Sequence, residues 1–310
     1  MRVLITGARG FLGGHLWPTL RDRHQVVTVG RMPLPESSRH IEGDLDDDRV
    51  LALLSREEPE AVVHLAASTD ADLCEEHPAQ AESGNAELPA RLASAVARSC
   101  VRFLQVSTDL VFDGERAPYG ESDRAAPVSV YGRTKLAGER AAADVLGERV
   151  CVARLALVYG PRATARSRPS FLERLIVRAC RGDRVPLFED EFRTPLYVED
   201  AASALALLLE RPAIPGVLHL GGPERCSRLS MGLRALAAFG VPPDRAEPKS
   251  RSRSGAKAPR PRDVSLSSSV AASLGLQSRS LSEGLSSMRL QMERRGFMVG
   301  SEIAVPEENP

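Results

Sequence analysis

Tyr131 and Lys135 stand four residues apart, so on a helix their side chains share one face. Lysine is scarce in this chain. Only Lys135, Lys249 and Lys257 occur among 41 basic residues, and arginine serves everywhere else. A tyrosine phenol has a reference pKa of about 10, too high for ready proton exchange at neutrality. A neighbouring ammonium stabilises the phenolate and is expected to lower that value by about a unit or more. Such a pair can hand a proton to a carbonyl oxygen while a hydride arrives at the carbon. Thr108 ends an apolar run and supplies a hydroxyl to hold the same oxygen. Arginine would replace Lys135 poorly, being bulkier and committed to a planar fork.

These groups need a scaffold that brings a strand end, a helix and a hydride carrier together. Residues 2–6 are apolar and end at Gly7, as a buried parallel strand does. Gly7, Ala8, Arg9, Gly10, Phe11, Leu12 and Gly13 follow, then a helical pattern to about Arg23. Strand, glycine turn and helix open a dinucleotide-binding unit. One glycine allows the tight turn, one admits the pyrophosphate, and one lets helix and strand pack. The helix N-terminus offers free N–H groups to the phosphates. The next strand, residues 25–29, leads to Arg31 rather than to the acid that meets a free ribose 2′-hydroxyl. Arg31 and Arg9 suit a 2′-phosphate, so the sequence predicts NADP in preference to NAD.

Further along, Asp44 and Leu45 precede a helix over 47–58, and Asp44 is placed either to cap it or to meet the adenine amine. Residues 61–67 form a strand whose small C-terminal residues, Leu65, Ala66 and Ala67, would lie under the cofactor. His64 reads as a packed strand residue, with no second ligand at metal spacing. A helical stretch containing Asn85 runs to about Ser99, and the next strand spans 101–106. Residues 112–127 form a polar loop suited to covering a substrate, and Ser129 caps the helix of Tyr131 and Lys135. A strand at 150–157 follows. Then come a basic loop (Arg162, Arg166, Arg168) placed to meet a diphosphate, a helix at 170–181, strands at 185–188 and 194–198, a helix at 199–210, a strand at 217–220 and a helix at 227–239. Residues 242–262 read as loop. The prediction is an α/β, Rossmann-type doubly wound sheet of six or seven parallel strands. Residues 1–160 would bind dinucleotide. Residues 161–298 would form a smaller discontinuous substrate lobe with some elements returning to the first domain, and 299–310 a loose tail.

Bulk properties bound the function. The chain has 310 residues and zero formal net charge, which points to neither nucleic acid nor an anionic membrane as partner. Five scattered cysteines without C-x-x-C argue for a reducing compartment and against a disulfide framework or metal site. No apolar run reaches membrane-spanning length, and the strand-like start leaves no room for a signal peptide. The expected location is the cytoplasm.

The sequence resembles the extended short-chain dehydrogenases/reductases, and within them most resembles the dTDP-4-dehydrorhamnose reductase family. The match lies in Thr6 to Gly13, His64 to Ala67, Ser107 to Gly114 and Tyr131 to Glu139. It continues in Phe192, Arg193, Thr194 and Pro195, and in the run from Arg260 to Leu266. The resemblance implies a keto-sugar nucleotide reductase using NADPH, with Thr108, Tyr131 and Lys135 catalytic and Asn85 supporting the lysine through water. It places Asp109, Leu157 and Arg193 at the substrate, and implies a homodimer through helices around 85–99 and 128–147. Two positions depart from the family: Leu110 replaces a tyrosine, and Leu157 replaces an aromatic. Leu110 also excludes the glutamate that sugar-nucleotide dehydratases need to remove a proton. Epimerases and reductases of non-sugar carbonyls share the fold, as does a regulatory subunit of methionine adenosyltransferase.

Overall fold

The computed structural model describes residues 1–34, 37, 39–211, 216–253 and 255–297; the expected tail at 299–310 lies outside them. The chain opens with β1 (Arg2–Thr6), α1 (Phe11–Arg21), β2 (Gln25–Gly30), β3 (Arg39–Glu42), α2 (Asp48–Arg56) and β4 (Ala61–His64). Every residue of β4 is buried and β1 is buried from Val3 onward, as befits strands covered on both faces. Then come α3 (Ala71–Glu76), α4 (Pro78–Glu82), a single π-helical turn (Ser83–Glu87), α5 (Leu88–Val96), β5 (Arg102–Thr108), α6 (Val130–Leu146) and β6 (Val150–Leu155). The one helix expected to Ser99 is thus three helices and a π turn.

The second half holds β7 (Val158–Tyr159), α7 (Phe171–Cys180), β8 (Val185–Phe188), β9 (Phe192–Arg193), β10 (Leu196–Tyr197), α8 (Val198–Glu210), β11 (Val217–Leu220), β12 (Cys226–Ser227), α9 (Arg228–Ala238), β13 (Ala246–Lys249), α10 (Ser269–Ser273) and α11 (Leu281–Arg294). Ser280 and Glu283 close a capping box on α11, satisfying two orphan donors of its first turn. The expected loop at 242–262 contains β13, which pairs in parallel with β8. That pairing satisfies backbone groups which Pro- and Arg-rich composition alone assigns to solvent. The strand expected at 194–198 is reduced to β10, which Thr194 and Pro195 separate from β9, and the two pair with different partners.

Seven parallel strands form the main sheet in the order β11-β6-β5-β4-β1-β2-β3. The order reverses between β1 and β4, the crevice where open α/β sheets bind ligands. β3 was not foreseen. One face of the sheet packs on α1, α8 and α10 through Leu16, Leu20, Leu205 and Leu209. The other packs on α2, α5 and α6 through Leu54, Leu92 and Leu146. A separate core unites α7, α9 and α11 around Ile176, Leu236 and Met288. Among the described residues no helix is long and apolar enough to cross a membrane.

Candidate active site

Ser129 caps α6, accepting from the Gly132 N–H at 3.1 Å, and so fixes where the helix starts beside the end of β5. Tyr131 and Lys135 are both buried, as is Thr108 at the strand end. Lys135 Nζ donates to the Val106 carbonyl at 2.7 Å, and the Thr108 hydroxyl, which donates to Asp109 Oδ1 at 3.2 Å, stands near enough to the Tyr131 phenol to favour its ionised form. The Thr108 hydroxyl also accepts from the Leu110 N–H at 3.2 Å. The structure therefore brings these three side chains together.

The expected lowering of the Tyr131 pKa is not what the fold produces. Burial pushes the phenol well above its ordinary value, the nearby Thr108 hydroxyl opposes this, and Asp109 adds to it. Burial also pulls the Lys135 ammonium down to about 8, with Glu139 opposing. The desolvation of a closed interior dominates both groups, and the lysine charge that sequence reasoning considered is not among the influences on the phenol. What results at neutral pH is a neutral phenol able to donate, beside a lysine still mostly charged.

Asn85 sits in the π turn, a distortion that recurs at functional sites. Its Oδ1 accepts from the Ser68 N–H at 2.9 Å, and its Nδ2 donates to the Ser68 carbonyl at 3.0 Å and to Thr134 Oγ1 at 3.2 Å. Thr134 precedes Lys135, so Asn85 bonds the helix turn that carries the lysine. Gly138 permits the approach: a Cβ there would stand 2.0 Å from the Asn85 carbonyl oxygen.

The glycine loop lies across the sheet's switch point. Gly7 has φ +68°, and a Cβ on it would lie 2.7 Å from the Ala66 nitrogen. Thr6 Oγ1 accepts from the Leu65 and Ala66 N–H groups, both at 3.2 Å, and bonds His64 Nδ1 at 2.8 Å. The ends of β1 and β4 are thus laced together, with Ala67 just beyond. Gly13 lets α1 press against the loop, since its Cβ would meet the Gly7 carbonyl oxygen at 2.3 Å. Gly10 caps α1 with no side-chain bond and no acid stands in the first turn, leaving N–H groups near Phe11 and Leu12 free. A tight glycine loop whose backbone packs this closely, with a free helix N-terminus beside it, fits a dinucleotide pyrophosphate.

Arg31 is exposed at the bend after β2. Arg9 Nη1 donates to the Pro33 carbonyl at 2.6 Å, and both Arg9 and Arg166 line a cavity of about 510 Å³ beside Met32 and Leu34. Asp44 is exposed and does not cap α2; Asp47 does, accepting from the Arg49 N–H at 2.8 Å. Leu45 is buried beneath α2. The basic loop is held in place by two ion pairs and a hydrogen bond. Arg162 is tied to Glu173 at 2.6 Å, Arg168 lies 3.8 Å from Asp70, and Ser167 donates to the Arg9 carbonyl at 3.2 Å. The segment therefore folds over the glycine loop.

On the other side of Thr108, buried Asp109 lies 3.5 Å from Arg193, and Arg193 lies 3.0 Å from Glu191. Burial raises the Asp109 carboxyl to about 6 against the pull of Arg193. Arg228 joins them, its guanidinium 3.6 Å from the Phe171 ring centroid. Sequence reading found Asp109 and Arg193 but missed Glu191 and Arg228, which carry no motif. Leu110 packs beside Tyr131, and Leu157 against the core of the second lobe. Among the described residues no group of three His, Cys, Asp or Glu side chains could hold a metal ion.

Comparison with known proteins adds the lineage. Residues 1–293 match the family model described as RmlD substrate binding domain. The chain is 35% identical over 280 residues to a dTDP-4-dehydrorhamnose reductase of Mycobacterium tuberculosis, covering 89% of this chain and 88% of the relative. It is 33% identical over 244 residues to a probable low-salt glycan biosynthesis reductase of Haloferax volcanii, covering 77% and 81%. It is also 30% identical over 255 residues to methionine adenosyltransferase 2 subunit beta of Bos taurus, covering 80% and 75%. The fold matches a dTDP-4-dehydrorhamnose reductase of Bacillus anthracis solved with NADP, with TM-score 0.82, 24% identity, and 94% and 99% coverage. It also matches MoeE5 solved with UDP-glucose and NAD, with TM-score 0.80, 30% identity, and 96% and 100% coverage. The chain belongs to the RmlD substrate-binding-domain family, NAD(P)-dependent oxidoreductases of the extended short-chain dehydrogenase/reductase type.

Proposed function

We propose that this protein reduces a keto-sugar nucleotide of the dTDP-4-dehydrorhamnose class, taking NADPH in preference to NADH. The observation that carries the reading is the buried set of Thr108, Tyr131 and Lys135 at the end of β5. The dinucleotide would rest on Gly7 to Gly13, with Leu65, Ala66 and Ala67 beneath it, and supplies the hydride when bound. Arg31 and Arg9 stand at the end of β2, where a 2′-phosphate would be met. The neutral Tyr131 phenol donates its proton to the carbonyl oxygen, which Thr108 holds by hydrogen bond. Lys135 then stabilises the phenolate left behind, and its scarcity in the sequence reflects that role. Asn85 keeps the helix in register through Thr134. Asp109 and Arg193 face the sugar, and residues 161–297 form most of the substrate lobe, with β11 returned to the main sheet.

The test is NADPH oxidation by the purified protein over a panel of 4-keto sugar nucleotides, with Tyr131→Phe beside it. The expected result is turnover of at least one of them and its loss in the variant. No turnover across the panel would overturn the substrate class. Undiminished turnover by Tyr131→Phe would overturn the proton donor.

A further inference from the structure

Ser107 separates two backbone positions that both serve the site. Val106 on one side offers the carbonyl that takes Lys135 Nζ, and Thr108 on the other stands by the Tyr131 phenol. Successive side chains in a strand point to opposite faces, so Ser107 turns away from Thr108. It donates to Glu139 Oε1 on α6, one turn beyond Lys135 on the same helix. Arg154 of β6, paired in register with Ser107, holds the same carboxylate as a fork: Nη2 to Oε2 at 2.7 Å and Nε to Oε1 at 3.1 Å. All three residues are buried.

A buried ion pair is a poor way to gain stability, because desolvation consumes most of the attraction and an apolar pair would pack as well. What it provides is geometry. A bidentate guanidinium fixes the carboxylate's orientation in a way that apolar packing cannot. Here the carboxylate is fixed on the strand residue that sits between the carbonyl bonded by Lys135 and the threonine beside Tyr131. We propose that Ser107, Glu139 and Arg154 form a positioning clamp that locks α6 to the end of β5 and keeps an anion beside the Lys135 ammonium.

The surroundings of Lys135 are consistent with that second role. From β4 it faces His64, which burial and Lys135 itself hold neutral by pushing its pKa down to about 3. In the π turn and on its own helix, uncharged Asn85 and Thr134 bond each other, and Tyr131 stays protonated. Cys74 of α3 lies near Tyr131, its thiol also raised by burial. Glu139 is the charge that resists the desolvation of Lys135.

The clamp rests on the reductase reading for its catalytic consequence, so the test has one arm that needs no turnover. With three lysines in the chain, protein labelled with ¹³C-lysine gives few side-chain signals, and the Lys135 titration can be followed by NMR without cofactor. Glu139→Gln should lower the Lys135 pKa by about half a unit or more. Because Arg154 is then left unpaired, Glu139→Gln with Arg154→Met is measured as well and should move it the same way. Ser107→Ala keeps the ion pair and should leave the titration near the parent's while lowering kcat about tenfold, with KM little changed. An unmoved Lys135 titration in both Glu139 variants, or undiminished kcat in Ser107→Ala, would overturn the clamp. A parent protein that turns over no substrate would instead count against the reductase reading, and the titration would still decide the charge role.

Discussion

Gly138→Ala tests whether close packing of α6 on the π turn sets the catalytic geometry. The new methyl would stand 2.0 Å from the Asn85 carbonyl oxygen and 3.1 Å from Pro89 Cγ. That oxygen belongs to the backbone and cannot rotate away, so the turn or the helix must retreat by about 1 Å to reach even a tight contact. Overpacking of this kind costs about 1–3 kcal/mol, and replacing a mid-helix glycine by alanine returns about 1 kcal/mol. Net stability should fall by no more than about 2 kcal/mol, readable as a lower urea midpoint with unchanged slope. The kinetic effect should be larger. Tyr131 and Lys135 ride on the displaced helix, and a misplacement of about 1 Å is worth about a hundredfold in rate. Steady-state NADPH oxidation should show kcat down by that order and NADPH affinity little altered. Retention of kcat within about threefold would show that the contact does not position the donor.

Tyr131→Phe should lower kcat by about 10²- to 10⁴-fold, the usual worth of a general acid, while NADPH binding measured by fluorescence stays close to the parent's. Arg31→Asp should weaken NADPH far more than NADH in direct titrations; equal losses would remove Arg31 from the phosphate site. His64 predicts an acid dependence of stability. Its folded pKa of about 3 lies below the unfolded value of 6.5, so its contribution is whole above pH 6.5 and is lost as pH falls towards 3. The loss is about 1.4 kcal/mol per pH unit within that window. His64→Asn should flatten the acid limb of a plot of urea midpoint against pH, and an unchanged limb would exclude His64 as its source.

Strands buried on both faces announced themselves as apolar runs, and Gly7 to Gly13 and the Ser129 cap were legible because each depends on a few adjacent residues. β3 and β13 escaped because their stability comes from pairing partners far along the chain, which composition does not encode. The π turn escaped for a related reason: Asn85 is held by Ser68 and Thr134, not by helix propensity. At the site, the types and spacing of Tyr131 and Lys135 told what chemistry was available. Their protonation did not follow from spacing, because the sequence named the opposing charges and left out the depth of burial. Glu191 and Arg228 were invisible until β9, β12 and α9 brought them to Arg193.

The return of β11 to the main sheet makes the two halves poor modules. A fragment ending near residue 160 would leave β6 with a bare edge where Val152 to Leu155 pair with β11. It would also strip α1 and the sheet of the apolar cover given by Leu205, Leu208 and Leu209. Exposed strand edges and uncovered apolar faces recruit other chains. Such a fragment should therefore aggregate when made alone and become soluble when the remainder is supplied in trans. A lineage that exchanges substrate lobes on this scaffold would have to keep the outer strand and the helix before it, and vary the small sheets and helices between and beyond them.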